Sequence, residues 1–225
     1  MRQIPLGLEP GEARSFDTFL TGANRALVEQ LRSLRTQERP APAYLWGEQG
    51  AGKTHLLRAL AYEVQCGGGR VGWFDASTSV PWEFDEAWAL LVLDDCGAYS
   101  ADQQHAAFGL FVQASTQGLL VAAAGALPPV DLALRDDLRT RLGWGHVLHV
   151  LPLTESERRA VLRRDADRRG IILSDEVMSY LLTRFSRDLG SLIGLLDRLD
   201  RFALATHRAV TVPLLKQMLA EERPQ

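Results

Sequence analysis

The sequence predicts an α/β protein in which a parallel sheet with flanking helices is followed by a smaller all-helical domain. Residues Gly47–Thr54 read G-x-x-x-x-G-K-T between an apolar strand end and a helix start, which is the context that a phosphate-binding loop requires. Residues Ala89–Leu93 form a continuous apolar run that ends in Asp94-Asp95, as expected of a buried parallel strand. After Pro152 only helical patterns remain.

Strand and helix patterns alternate up to residue 150, which indicates right-handed crossovers in a parallel sheet. Apolar runs predict five strands, at residues 44–46, 71–74, 89–93, 119–124 and 147–150. Apolar residues at helical spacing predict helices at residues 24–35, 53–66, 102–116 and 131–141. The same spacing predicts four further helices, at residues 155–169, 175–185, 189–203 and 213–221. Thr154 is the predicted N-cap of the first of these helices.

Three regions follow from these patterns. Residues 1–14 are rich in Pro and Gly and predict a flexible segment, residues 15–150 an α/β nucleotide-binding domain, and residues 151–225 a helical domain. An apolar content of 46% and a charged content of 24% are typical of a globular protein.

Composition also excludes several classes of function. The net charge of −3 and the pI near 6.0 argue against a broad nucleic-acid-binding face. Cys66 and Cys96 have neither metal-ligand spacing nor the number that a disulfide framework needs. No apolar run approaches the roughly 18 residues of a membrane span, and no signal peptide is recognised. We therefore expect a cytoplasmic protein without a membrane partner.

The phosphate-binding loop predicts the residues that contact a nucleotide. Its glycines let backbone N–H groups turn toward a polyphosphate, and the helix that follows directs its positive end at the same anion. The predicted cofactor-binding residues are Gly47, Gln49, Gly50, Ala51, Gly52, Lys53, Thr54 and His55. Lys53 can reach the β/γ-phosphates, and the hydroxyl of Thr54 can bind Mg²⁺.

Two acidic residues at a strand end predict the rest of the metal site. In phosphate-loop nucleotidases an aspartate at this place holds Mg²⁺, so Asp94 and Thr54 are the predicted metal residues. Asp95 is the predicted catalytic carboxylate that orients an attacking water. Alone, the pair would fit a polar strand end better, and the phosphate-binding loop is what favours the metal site.

Residues Arg141–Gly145 read Arg-Leu-Gly-Trp-Gly. An arginine on a short helix at the sheet edge can reach a nucleotide that is bound by a neighbouring protein, and there stabilise charge on the γ-phosphate. The local sequence does not separate this role for Arg141 from that of a solvated arginine, because 23 of the 25 basic residues are arginines.

Residues 15–225 resemble the ATPase core of the bacterial replication initiator DnaA, an AAA+ protein. The matching stretches are Phe16-Asp17-Thr18-Phe19, Gly50–Leu57, Leu93-Asp94-Asp95 and Arg141–Gly145. The sequence ends soon after the helical region, which corresponds to the AAA+ lid, and in this it is similar to the Hda family of DnaA-homologous regulatory inactivators.

The resemblance implies a function. ADP, or ATP, and Mg²⁺ would be the cofactors, with weak or no ATPase activity of the chain's own. The partners would be DnaA and the β subunit of the DNA polymerase, the sliding clamp, with indirect or weak DNA contact and a homo-oligomer allowed. Arg141 would act in trans as an arginine finger on ATP bound by DnaA, which converts the initiator to its inactive ADP form.

The N-terminus resembles the short peptide by which such proteins bind the sliding clamp. An extended segment with a glutamine and alternating aliphatic anchors fits an apolar groove. The predicted clamp-binding residues are Gln3, Ile4, Pro5, Leu6 and Leu8. A terminal tail without a function is the alternative.

The sequence departs from the family at two nucleotide-sensing positions. The sensor after the fourth strand, which is usually polar, falls on Ala124-Gly125, and the lid arginine aligns with Gly190. Two other functions therefore remain open. One is an autonomous, DNA-stimulated AAA+ ATPase such as a helicase loader, and the other is a clamp-tethered adaptor, against which the intact Lys53 argues.

Overall fold

A five-stranded sheet forms the centre of the first part of the chain, in a computed structural model that describes residues 14–185 and 189–221. Its strands are β1 (Ala43–Trp46), β2 (Arg70–Phe74), β3 (Trp88–Leu93), β4 (Leu120–Gly125) and β5 (His146–His149). They lie in the order β2-β3-β4-β1-β5, and all neighbouring pairs are parallel. The predicted parallel sheet is confirmed.

Four helices accompany the sheet: α1 (Arg25–Leu34), α2 (Lys53–Cys66), α3 (Ala101–Thr116) and α4 (Asp136–Leu142). Leu91 and Leu93 of β3 belong to the core that α3 and α4 cover, whereas Leu90 and Val92 alternate with them toward the opposite face. All four leucine and valine side chains are fully buried. The apolar run of β3 is therefore continuous because both of its faces are covered.

The segment before α4 differs from the sequence prediction. The helix expected at residues 131–141 begins only at Asp136, after a single 3-10 turn at Pro129–Asp131. Leu132 and Leu134, which lie between these elements, are both buried. The N–H of Leu134 donates to the carbonyl of Leu132 at 2.9 Å, which closes a tight turn around Ala133. This turn brings both leucines into the core, whereas residues two apart lie on different faces of a helix.

The regular elements in the described residues of the second part of the chain are all helices. It contains α5 (Glu155–Arg168), α6 (Asp175–Arg184), α7 (Leu189–Thr206) and α8 (Val212–Glu221). Thr154 accepts the N–H of Glu157, whose carboxylate in turn accepts the N–H of Thr154, so the predicted cap is confirmed as a capping box. One apolar core joins the four helices, and most of its described buried residues come from α6, α7 and α8.

The chain divides into two compact units between Leu151 and Pro152, with the short segment Gln49–Ala51 grouped with the second unit. Within the first unit, the buried side chain of Asn24 holds the main chain of Leu151. Its amide nitrogen donates to the carbonyl of Leu151 at 2.9 Å, and its oxygen accepts the N–H of the same residue at 2.8 Å. The start of α1 and the last residue of the unit are therefore fixed to each other.

No helix in the described ranges is long and apolar enough to cross a membrane.

The main chain entering β5 passes directly over the main chain before β1. A Cβ on Gly145 would overlap the carbonyl oxygen of Pro42, which already accepts the N–H of His146 at 2.8 Å. Since backbone atoms on both sides form this contact, no side-chain rotation can relieve it.

We expect Gly145→Ala to destabilise the protein by about 1–3 kcal/mol, because the added methyl group forces two main-chain segments apart. The control is Gly109→Ala in α3, where a Cβ would meet nothing within 4 Å, and which should stabilise the helix by about 0.5–1 kcal/mol. Urea unfolding of both variants measures the two effects. Equal stability of the two variants would contradict the prediction.

Candidate nucleotide-binding site

The loop between β1 and α2 adopts a backbone conformation that favours glycine at three positions. The φ angles of Gly47, Gly50 and Gly52 are 149°, 80° and 104°, a region that other residues rarely occupy. A Cβ on Gly47 would overlap the carbonyl oxygen of Val150, and one on Gly52 would lie 2.7 Å from Cε2 of Phe19. Both glycines are thus required by conformation and by space.

The ammonium group of Lys53 lies at this loop. Its Nζ donates to the carbonyl oxygens of Gly47 at 2.7 Å and Glu48 at 2.9 Å. Burial lowers the pKa of Lys53, and the nearby charges of Asp95 and Asp94 act in the opposite direction. Because α2 begins at Lys53, the unpaired N–H groups of its first turn and the positive end of its dipole lie at the same place.

Two carboxylates follow the end of β3, at the same edge of the sheet as the loop after β1. Asp94 is buried and Asp95 is exposed. Burial raises the pKa of Asp94, whereas hydrogen bonds from the side chain of Thr54 and from the N–H of Asp95 oppose the rise. That N–H lies 3.0 Å from Oδ1 of Asp94. Asp95 itself has a left-handed conformation, with φ 51° and ψ 49°, which turns the chain at the strand end.

These residues fit a magnesium nucleotide. The side chain of Thr54 lies close enough to the carboxylate of Asp94 to lower its pKa, and hydroxyl and carboxylate oxygens are ligands that Mg²⁺ prefers. The described residues contain no group of three or more His, Cys, Asp or Glu side chains that would hold a metal alone. Phosphate and water would therefore supply the remaining ligands, as is usual for Mg²⁺.

His55 is bound to the segment that precedes α1. Its Nε2 lies 3.1 Å from the carbonyl oxygen of Ser15, so this nitrogen is the donor, and 3.4 Å from the hydroxyl of Thr18. Its ring lies 5.4 Å from that of Phe19. Burial lowers the pKa of His55, and the charges of Arg14 and Arg58 add to the effect. The imidazole thus ties the N-terminal segment to α2.

Sequence reasoning did not single out Arg58 or Phe19. The charge of Arg58 acts on both Asp94 and His55, and Phe19 packs against Gly52. Arg58 lies four residues after Thr54, which places both on one face of a helix, so this spacing could have indicated it. For Phe19 the only signal was its place in one of the four stretches that resemble the initiator.

At the position expected for a polar sensor, Ala124-Gly125, the side chain of Tyr44 from the neighbouring strand occupies the space. Ala124 and Gly125 are buried at the end of β4, and a Cβ on Gly125 would overlap the hydroxyl of Tyr44 in β1. That hydroxyl donates to the carbonyl of Leu127 at 2.9 Å, and burial raises the pKa of Tyr44. A side chain at residue 125 would thus have to displace Tyr44. Gly190 belongs to α7 of the second unit.

Arg141 is not among the residues that gather at the loop. It lies in the last turn of α4, where the preceding Leu138 and the following Leu142 are buried in the core. Its guanidinium carbon lies 3.9 Å from the ring centroid of Trp144, a side chain that is 61% exposed. The two remaining arginines of this segment pair with carboxylates, Arg135 with Asp137 and Arg139 with Asp136.

The predicted clamp-binding residues Gln3, Ile4, Pro5, Leu6 and Leu8 lie outside the described residues.

Two family models match separate parts of the chain. Residues 11–71 match the bacterial DnaA ATPase domain, and residues 155–219 match the lid domain of Hda. An uncharacterised protein of Haemophilus influenzae is 32% identical over 227 aligned positions, which cover 97% of this chain and 98% of that protein.

The fold is similar to solved structures of the initiator. Domain III of DnaA from Thermotoga maritima superposes with a TM-score of 0.76 at 20% identity, covering 94% of this chain and 97% of that one. AMPPCP-bound DnaA from Aquifex aeolicus gives a TM-score of 0.68 at 21% identity, over 95% of this chain and 70% of that one. A DnaA-like AAA+ domain with an Hda lid supports a role related to replication initiation. The chain therefore belongs to the family of Hda-like homologues of the bacterial replication initiator DnaA.

Proposed function

We propose that the chain is a negative regulator of chromosomal replication initiation. It binds ADP or ATP with Mg²⁺, binds the DNA-loaded sliding clamp, and promotes hydrolysis of ATP on DnaA through Arg141. The observation that carries the proposal is that Arg141 in α4 has no carboxylate partner among the described residues. The family context supports it, because the chain has a DnaA-like core and an Hda lid.

The nucleotide part of the proposal rests on Lys53, Thr54 and Asp94. The ammonium and the N–H groups of α2 supply positive potential at the loop, and the Thr54–Asp94 pair supplies the oxygen ligands. Bound Mg²⁺ would neutralise phosphate charge at this site. The site then holds the chain's own nucleotide, and with no polar side chain at residues 124 and 125 its own hydrolysis is weak or absent.

The catalytic part of the proposal places Arg141 on a second nucleotide, held by DnaA. A guanidinium has five N–H donors in a planar fork that matches phosphate oxygens. An arginine supplied in trans stabilises the charge that develops on the transferred phosphoryl group, and it ordinarily contributes ~10³–10⁵ in rate. Asp95 belongs to the chain's own site, where its exposed carboxylate would orient water.

An autonomous AAA+ ATPase is the second candidate. The observation in its favour is that Lys53, Thr54, Asp94 and Asp95 all lie at one edge of the sheet, as hydrolysis by the chain itself would require. Phosphate release by the purified chain with ATP, Mg²⁺ and DNA, but without DnaA or clamp, separates the two candidates. Turnover under these conditions that matches the rate with DnaA would favour the motor.

For nucleotide binding, we expect Lys53→Ala to weaken the affinity for ADP and ATP about tenfold to a hundredfold, because one charge-assisted phosphate contact of ~1.5–3 kcal/mol is lost. The matched control is Lys216→Ala at the only other lysine, which lies in α8 near the ring of Tyr180. Titration calorimetry measures both. Unchanged affinity in the Lys53 variant would exclude the loop as the nucleotide site.

For the clamp, we expect the double variant Gln3→Ala, Leu6→Ala to lose binding to the sliding clamp, because the glutamine and an apolar anchor of the predicted peptide are removed. Glu9→Ala is the control within the same segment. Size-exclusion chromatography with the clamp measures binding, and thermal melting shows whether the fold is preserved. If the double variant still elutes with the clamp, the tether lies elsewhere in the chain.

For catalysis in trans, we expect Arg141→Ala to bind nucleotide and clamp normally but to lose most of the stimulation of ATP hydrolysis on DnaA. Arg141→Lys should fail nearly as badly, since an ammonium lacks the planar two-point contact. The measurement is conversion of DnaA-bound ATP to ADP with DNA-loaded clamp. Arg139→Ala, which removes a residue paired with Asp136, is the control. Stimulation by Arg141→Ala within about twofold of wild type would exclude the role.

A further inference from the structure

Trp144 contacts the guanidinium of Arg141 through the face of its ring. The distance of 3.9 Å from the guanidinium carbon to the ring centroid is close to van der Waals contact between carbon atoms and well inside the ~6 Å range of a cation–π interaction, for which tryptophan is the strongest partner. We propose that Trp144 is a positioning residue for Arg141, an inference that rests on the proposed catalysis in trans.

Unlike the contacts of the neighbouring arginines, this contact leaves the charge and the N–H donors of the guanidinium available. Arg139 Nη2 lies 2.6 Å from a carboxylate oxygen of Asp136, and Arg135 Nη2 lies 2.7 Å from one of Asp137. Carboxylates occupy N–H donors and cancel the charge. An aromatic face restrains the guanidinium but occupies none of its edge donors, so Arg141 keeps both its charge and its donors for an external anion.

The ring is itself held in place by the main chain on both sides. The N–H of Trp144 donates to the carbonyl of Arg141 at 3.2 Å. On the other side, Gly145 packs so closely against Pro42 that a Cβ would overlap its carbonyl oxygen. Trp144 therefore has a fixed backbone although its side chain is 61% exposed. Burial does not explain a large aromatic side chain here, whereas orientation of Arg141 does.

The pattern Arg-Leu-Gly-Trp-Gly then has a physical meaning at each position. Leu142 is buried and attaches α4 to the core, Gly143 caps the helix, and Gly145 allows the close approach to Pro42. These three positions place Trp144 over Arg141. The pre-oriented arginine loses less conformational freedom when it meets a phosphate.

The test compares two variants that differ in the aromatic face. Trp144→Phe keeps a ring beside Arg141, whereas Trp144→Leu leaves an apolar side chain without one. We expect the leucine variant to lower the maximal rate of stimulated hydrolysis on DnaA about two- to fivefold, the range that a cation–π contact at an exposed site supports. The phenylalanine variant should lose less than the leucine variant. The concentration for half-maximal stimulation should stay unchanged in both.

A second measurement does not depend on activity. Ring-current shifts of the Arg141 side-chain protons, seen by NMR in the free protein, should disappear in Trp144→Leu and persist in Trp144→Phe. Ile172→Ala, which truncates a 90% exposed side chain in the second unit, is the control and should change neither readout. Thermal melting should be the same for all variants, because Trp144 is exposed.

Three results would overturn the inference. The first is an unchanged maximal rate in Trp144→Leu, and the second is the absence of ring-current shifts in the wild type. The third is an increase in the half-maximal concentration alone, which would make Trp144 a contact for the partner instead. Failure of the proposed function is distinguishable, since it would leave Arg141→Ala fully active, whereas failure of this inference alone leaves Arg141→Ala inactive and Trp144→Leu active.

Discussion

Close contacts at Gly47 and Gly52 fix the path by which β1 leads into α2, and the candidate nucleotide site depends on that path. The carbonyl of Val150 and the ring of Phe19 lie where side chains would otherwise be. This close packing determines the direction of the first turn of α2, and with it the positions of Lys53 and Thr54. The phosphate-binding loop is thus held from two sides by residues far away in the sequence.

The first unit contains two kinds of positive group, and their surroundings differ. Lys53 is half-buried among loop carbonyls and near two aspartates, an arrangement suited to a ligand that the chain itself holds. Arg141 stands at the end of a short helix against an exposed indole ring. A guanidinium in this position is better placed to contact a molecule outside the chain than a ligand that the chain itself binds.

The sequence predicted the parallel sheet, because a phosphate-binding loop and a doubly buried strand have strong local patterns. The same patterns indicated Thr54 and Asp94 as metal residues, a role that stays a prediction. The sequence did not predict the non-helical residues before α4, since the burial of both Leu132 and Leu134 follows from tertiary packing. Nor could it reveal that Tyr44 fills the space at Gly125. That contact joins neighbouring strands whose residues lie far apart in the chain, so no local pattern carries it.

The strand order has a consequence for biosynthesis. β1 pairs only with β4 and β5, so a nascent chain carries this apolar strand with two open edges until Leu120 and the residues after it have left the ribosome. Domains fold as units from the N-terminus during translation, and unpaired edges at this stage invite aggregation. Because Gly47 packs against Val150 and Asn24 holds Leu151, the loop is complete only when the whole first unit has been made. Nucleotide binding would therefore distinguish chains whose first unit is fully translated and folded from chains whose first unit is incomplete.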